Sequence, residues 1–249
     1  MNNPWKQNYE AYNKEDHKAW RTLFDRQMEC LPAVATKAYL EGLELIKFNS
    51  RRVPDFEKTN KILRKLTGWQ LHEVPGIIPV RDFFQLMNQK KFSAATWLRK
   101  MSQLDYLEEP DLFHDVFGHA PMLTNRNFTN FLSGLSRIAV KHINNPLALE
   151  WLGRIYWFTV EFGMIREYDE RKIYGAGILS SHGETAFCMG NETRLVPFDV
   201  TEIFNSPYRT DEFQQKYFVI QSYDQLFHSI EEIEFVLGKF LAENRKNVA

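Results

Sequence analysis

The chain has 249 residues, 44% hydrophobic and 25% charged, which is ordinary globular usage; folding buries roughly 70–75% of the surface at this length, so no disulfide staple is needed. A net charge of −1 gives no electrostatic reason to expect nucleic acid or an anionic membrane as partner, and no apolar run reaches the ~18–20 residues of a membrane helix. The first residues, MNNPWKQNYEAYNKEDH, lack the apolar core of a signal peptide, and Cys30 and Cys188 make no disulfide framework, so a cytoplasmic protein is expected.

In chain order, Asn13 can cap a helix in which Trp20, Phe24 and Met28 recur four apart beside Leu23 and Leu31. Pro32 interrupts it, and 36–48 starts a second amphipathic helix. A third runs over 56–67 and ends at Gly68. In VPGIIPVRDFF, Pro75, Gly76 and Pro79 forbid a regular element before Asp82, leaving an apolar loop of the kind that lies buried under other structure or lines a pocket. Helix resumes from 110 to 163, with breaks near Gly118–Pro121 and at Asn144–Pro146. After Gly163, MIREYDERKIYGAG suggests a hairpin, KYFVIQS (216–222) a strand, and 223–244 a final helix. No internal repeat or linker divides the chain. The expected fold class is mainly α with a small β component, in a single domain over 1–249.

Of seven histidines, His114 and His119 in EPDLFHDVFGHAP are the pair that could share a metal. They are five apart, which on a uniform α-helix points them ~140° from each other. Sharing one ion requires a widened turn or an irregular helix near Gly118. Glu161, in IYWFTVEFG, is a carboxylate inside an apolar helical stretch, so burial demands a pair, a proton or a metal. A buried ion pair with Arg154 or Arg166 is one solution. Two imidazoles and one carboxylate would instead form the open-faced triad of non-haem Fe(II) oxygenases, and on ligand type alone the same set suits a zinc hydrolase. A helical domain without chemistry, its histidines and Glu161 satisfied in the core, is the third possibility.

The segments VPGIIPVRDF (74–83), TWLR (96–99), DYLEEPDLFHDVFGHAP (105–121), IYWFTVEFG (155–163) and YGAGILSSHGE (174–184) narrow this choice. Together they resemble the catalytic domain of the pterin-dependent aromatic amino acid hydroxylases, most closely the short bacterial members that act on phenylalanine. Weaker similarity runs from about 15 to 227. The resemblance implies a monooxygenase that converts L-phenylalanine to L-tyrosine, with tryptophan hydroxylation by the same chemistry as the alternative. It implies Fe(II) and tetrahydrobiopterin as cofactors and O2 as co-substrate, reacting at the iron to give a ferryl oxo that attacks the ring.

Residue by residue, His114, His119 and Glu161 match the iron ligands. Val74, Gly76 and Ile77 match backbone contacts to the pterin, and Phe83 the ring that stacks on it. Arg99 matches the arginine that receives the amino acid's carboxylate, and Asp111 the acid that holds it. Ser180 matches a serine beside the substrate that orients an iron-bound histidine. Tyr106, Pro110, Trp157, Gly177 and Ser181 match the rest of the substrate pocket. Departures from the animal members are Leu107 and Glu108 in place of Thr-Pro, Pro79 and Val80 in place of two serines, and Asp115 in place of a glutamate. Thr210, in YRTDEFQ, stands where tyrosine-specific members carry an acid, with Asp211 beside it. Neither the regulatory domain nor the coiled coil of the animal enzymes is expected, which implies a monomer.

Overall fold

The computed structural model describes residues 3–105, 107, 109–190 and 193–248. Helix α1 (Lys14–Met28) starts where its cap predicts. The Asn13 side chain accepts from the Glu15 and Asp16 N–H groups, and the Asp16 carboxylate accepts from the Asn13 N–H. Pro32 lies in the first turn of a short helix, α2 (Leu31–Val34), where a missing N–H costs nothing. Helices α3 (Lys37–Leu45) and α4 (Phe56–Leu66) follow the apolar periodicity. Beyond α3 the chain turns at Lys47, and beyond α4 at Gly68, both at positive φ, which shortens each helix relative to its apolar pattern.

The next stretch departs from the sequence reading, which assigns no strand here. Strand β1 (Gln70–Val74) pairs parallel with β2 (Lys91–Ala95), in register from Gln70↔Lys91 to Val74↔Ala95. Between them, α5 (Val80–Asn88) begins directly after Pro79 rather than at Asp82. Pro79 occupies the cap position, where its ring blocks no helical hydrogen bond, so the irregular loop contracts to 75–79.

Asn125 caps α6 (Arg126–Lys141) and Asn145 caps α7 (Pro146–Tyr156). Two π-helical segments, Phe113–Gly118 and Trp157–Glu161, accompany them. A hairpin of β3 (Met164–Glu167) and β4 (Glu170–Ile173) turns on Tyr168 and Asp169, both at the positive φ that a two-residue turn demands. Then come α8 (Ala176–Leu179), α9 (His182–Cys188), β5 (Arg194–Pro197), α10 (Val200–Phe204), β6 (Lys216–Ile220) and α11 (Tyr223–Val248). Strand β5, also unexpected, completes a mixed sheet of order β4–β3–β6–β5.

The molecule is mainly α with a small β component, as the sequence implies. Helix α6 packs between α5 and α11, and one continuous apolar core links all of these layers. No helix among the described residues is long and apolar enough to cross a membrane.

Candidate active site

The first π-helical segment answers the spacing problem of the two histidines. Its wider i→i+5 turn brings residues five apart nearly into line, so His114, within it, and His119, immediately after it, face the same point. The π turn is held from behind by aromatic packing. Phe113 and Phe117 stack at 4.6 Å and 12°, while Trp20, Phe24 and Tyr39 meet Phe117 edge-on at 5.3–6.4 Å. Such pairs contribute about 0.5–1.5 kcal/mol each beyond their buried area, enough together to offset the poorer hydrogen bonding of a widened turn. The Tyr39 hydroxyl also donates to the Phe117 carbonyl at 2.9 Å.

The second π-helical segment ends at Glu161. Its carboxylate lies 3.4 Å from His114 Nε2 through Oε2 and 3.2 Å from His119 Nε2 through Oε1. One ligand atom from each of the three residues falls within 4.8 Å of the others. The ion-pair alternative does not hold, because Arg154 instead pairs with Glu150 and the Phe204 carbonyl, Arg166 is exposed on β3, and Glu161 faces the two histidines. Burial opposes charge at the triad, yet Glu161 holds the His114 imidazole above its ordinary value. Burial alone would raise the Glu161 carboxyl, but the two imidazoles outweigh it and hold that group well below the usual range. A divalent metal bound here would take the place of a proton shared between the carboxylate and the imidazoles. The donor set fits iron: two neutral nitrogens and one carboxylate, gathered on one side, leave positions for other ligands. His114 Nδ1 meets Ser180 Oγ at 2.9 Å, which fixes the ring so that Nε2 is the atom offered to a metal.

A cavity of about 170 Å³ opens onto this triad. All four residues matched to pterin binding line it: Val74, Gly76, Ile77 and Phe83. Pro110 lines it as well. Gly76 has φ +153, a conformation that side chains resist, and the Trp97 Nε1–H donates to the neighbouring Pro75 carbonyl at 3.1 Å. The loop backbone is thereby fixed at the cavity wall. The Phe83 ring meets Tyr156 edge-on at 4.9 Å.

The other matched residues among those described do not line this cavity. Asp111, fully buried, accepts Arg99 Nε on Oδ2 and Arg99 Nη2 on Oδ1, both at 2.8 Å. It also takes the backbone N–H groups of Arg99 and His114, tying the arginine to the turn that carries the first histidine. Trp157 opens the second π-helical segment and donates from Nε1 to Gln214. At Gly177 a Cβ would sit 2.7 Å from the Phe162 ring, so glycine permits that contact. The Ser181 hydroxyl is occupied in capping α9. Thr210 follows Arg209, whose guanidinium pairs with Asp211 on the exposed surface, so no acid from this segment turns inward. Tyr106 and Glu108 lie outside the described residues.

Sequence reasoning misses Tyr156, Phe92 and Ser93 in the cavity wall, and it treats Asp115 only as a departure. Phe92 packs on His119 at 4.6 Å, and the Ser93 hydroxyl is buried without a partner among the described residues. No sequence signal marks Phe92 and Ser93, because β2 is not legible as a strand, and Tyr156, at the end of α7, looks like any other core aromatic. Asp115 accepts the Ala95 N–H at 2.7 Å, and burial pushes its carboxyl up to about 6. Its position next to His114 is the signal that could have identified it.

Residues 7–241 match the sequence model of the family described as biopterin-dependent aromatic amino acid hydroxylase. A phenylalanine-4-hydroxylase of Chromobacterium violaceum is 46% identical over 219 residues, which cover 88% of this chain and 73% of that one. One from Ralstonia nicotianae is 43% identical over 217 residues, covering 87% and 69%. The crystal structure of the C. violaceum enzyme with bound iron(III) and oxidised 7,8-dihydrobiopterin superposes with a TM-score of 0.89 at 44% identity, covering 95% of this chain and 85% of that one.

Proposed function

Since this chain belongs to the biopterin-dependent aromatic amino acid hydroxylase family, we propose that it hydroxylates L-phenylalanine to L-tyrosine with Fe(II), tetrahydrobiopterin and O2. The observation that carries this reading is the shared cavity. The two histidines and the glutamate suited to iron, and the loop and phenylalanine matched to the pterin, line the same space. The zinc-hydrolase and chemistry-free readings are not favoured by that family membership.

Bound together, iron and reduced pterin supply the activation of O2 that attack on an aromatic ring requires. The chain's own residues bind, orient and exclude water. His114, His119 and Glu161 would hold the metal, with Ser180 setting the His114 ring. Val74, Gly76 and Ile77 would offer backbone groups to the pterin, and Phe83 a flat apolar face. Arg99 uses its Nε and one Nη2 bond on Asp111, so its Nη1 edge would receive the amino acid's carboxylate. Pro110, Trp157, Gly177, Ser181 and Tyr106 would complete the substrate pocket. The same reading makes residues 1–249 one catalytic unit, acting as a cytoplasmic monomer on a small molecule.

On this reading Trp157 would take up space that an indole needs, and Asp211, paired with Arg209 on the surface, offers no acid to favour a phenol. The test is kcat/KM for phenylalanine, tyrosine and tryptophan with one reduced pterin and saturating Fe(II). Phenylalanine should rank first, with slower tryptophan turnover, because apolar pockets separate similar rings by only ~1–3 kcal/mol. A higher value for either competitor would reassign the substrate within the family.

A further inference from the structure

The segment 205–215, between α10 and β6, contains no helix or strand, yet it is pinned at Gln214, which is 6% exposed. The Gln214 backbone N–H donates to Glu184 Oε1 at 3.1 Å. Its side-chain Nε2 donates to the carbonyls of Arg209 at 2.8 Å and Glu212 at 3.3 Å. An amide that satisfies those two carbonyls must turn its oxygen the other way, toward Trp157, whose Nε1–H it accepts at 2.9 Å. The indole is also held on its faces. Tyr208 stacks on it at 4.3 Å and 14°, and Phe162 packs against it at 4.6 Å and 38°. Trp157 opens the π-helical segment that ends at Glu161, four residues before the metal-binding carboxylate.

We propose that Gln214 is a positioning residue for substrate choice: by holding the Trp157 indole in one orientation, it sets the pocket width that favours a single six-membered ring over an indole. Trp157 is only half-buried, so an indole that loses this acceptor can turn its N–H toward water and vacate space. The inference rests on the reading that Trp157 borders the substrate ring.

The experiment compares kcat/KM for phenylalanine and for tryptophan in the wild type, Gln214→Met, Trp157→Phe and the double variant, with near-UV circular dichroism of each metal-free protein. Gln214→Met should lower the phenylalanine-to-tryptophan ratio about three- to tenfold, the effect of one hydrogen bond. It should cause no further change in the Trp157→Phe background, and it should weaken the same indole band that Trp157→Phe removes. An unchanged ratio in Trp157→Phe would refute the placement of Trp157 at the substrate. A changed ratio there, with none in Gln214→Met, would overturn the role of Gln214 alone. Equal shifts in both backgrounds would also overturn it, since Gln214 would then act by another route. If Gln214→Met does not fold, Gln214→Lys, which keeps a donor toward the Arg209 and Glu212 carbonyls but offers Trp157 no acceptor, should lower the ratio about three- to tenfold. A wild-type ratio in that variant would contradict the proposal.

Discussion

Asp111 accepts four hydrogen bonds, three from Arg99 and one from the His114 backbone, and is fully buried. Removing a partner from such a carboxylate costs far more than breaking a surface ion pair, about 3–5 kcal/mol against 0–1. The arginine therefore does two jobs with one planar group, satisfying Asp111 and presenting a second edge to the substrate. Arg99→Lys keeps the charge but cannot fork, so KM for the amino acid should rise roughly 10–100-fold, as steady-state kinetics would measure. An unchanged KM would place the carboxylate elsewhere. At this scale the sequence makes titratable groups legible and leaves apolar walls hidden. His114, His119 and Glu161 stand out because charge in an apolar stretch needs a reason. Tyr156 and Phe92 look like any other core aromatics, since nothing in their type distinguishes a cavity wall from a packed interior.

The two π-helical segments are the elements on which the site depends, and their neighbours are fitted to them. A Cβ on Gly175 would lie 2.4 Å from the Glu161 carbonyl oxygen, so the chain after β4 can cross the second segment only as glycine. Gly175→Ala should cost about 1–3 kcal/mol in urea unfolding and lower the iron bound per chain by displacing Glu161. Unchanged stability and iron content would show that the crossing tolerates a side chain. A second element-level link joins α9 to β6: buried Glu184 accepts the Tyr217 hydroxyl and the Gln214 N–H. Burial, partly offset by those two donors, raises its carboxyl above the ordinary 4.5. The folded state then binds more protons than the unfolded one, so stability is lost as pH rises from about 4.5 through the raised value, and the penalty is constant beyond it. The unfolding free energy of wild type minus that of Glu184→Gln should decline over that window and then level, whereas a pH-independent difference would contradict the assignment. Helices α1, α4, α6 and α7 were legible because each runs long enough to repeat its apolar spacing and carries an Asn or Asp cap, whereas α5 and the short α8, α9 and α10 were not assigned from the sequence. Strands β1, β2 and β5 were not: four or five residues with no strict alternation, such as QLHEV and KFSAA, carry too little pattern.

Across the whole molecule, an aromatic-rich helical core fixes two widened turns against each other, and the short β1–α5–β2 unit brings the 75–79 loop to the mouth between them. The spacing of His114 and His119 argued against a shared metal on a regular helix, and only the three-dimensional arrangement supplies the irregular turn that reconciles them. The five ordered sequence segments carried the family; the placement of Trp157 against Gln214 and Tyr208 depends on contacts about fifty residues apart, which no local pattern records. The most direct test of the account is a coupled assay of the iron-loaded protein, following O2 consumption and tyrosine formation while phenylalanine and tetrahydrobiopterin are supplied singly and together. The account predicts tyrosine only when iron, reduced pterin, O2 and phenylalanine are all present, with tyrosine never exceeding the O2 consumed. Tyrosine formation without the pterin, or with zinc in place of iron, would contradict it, as would the absence of tyrosine from the complete mixture.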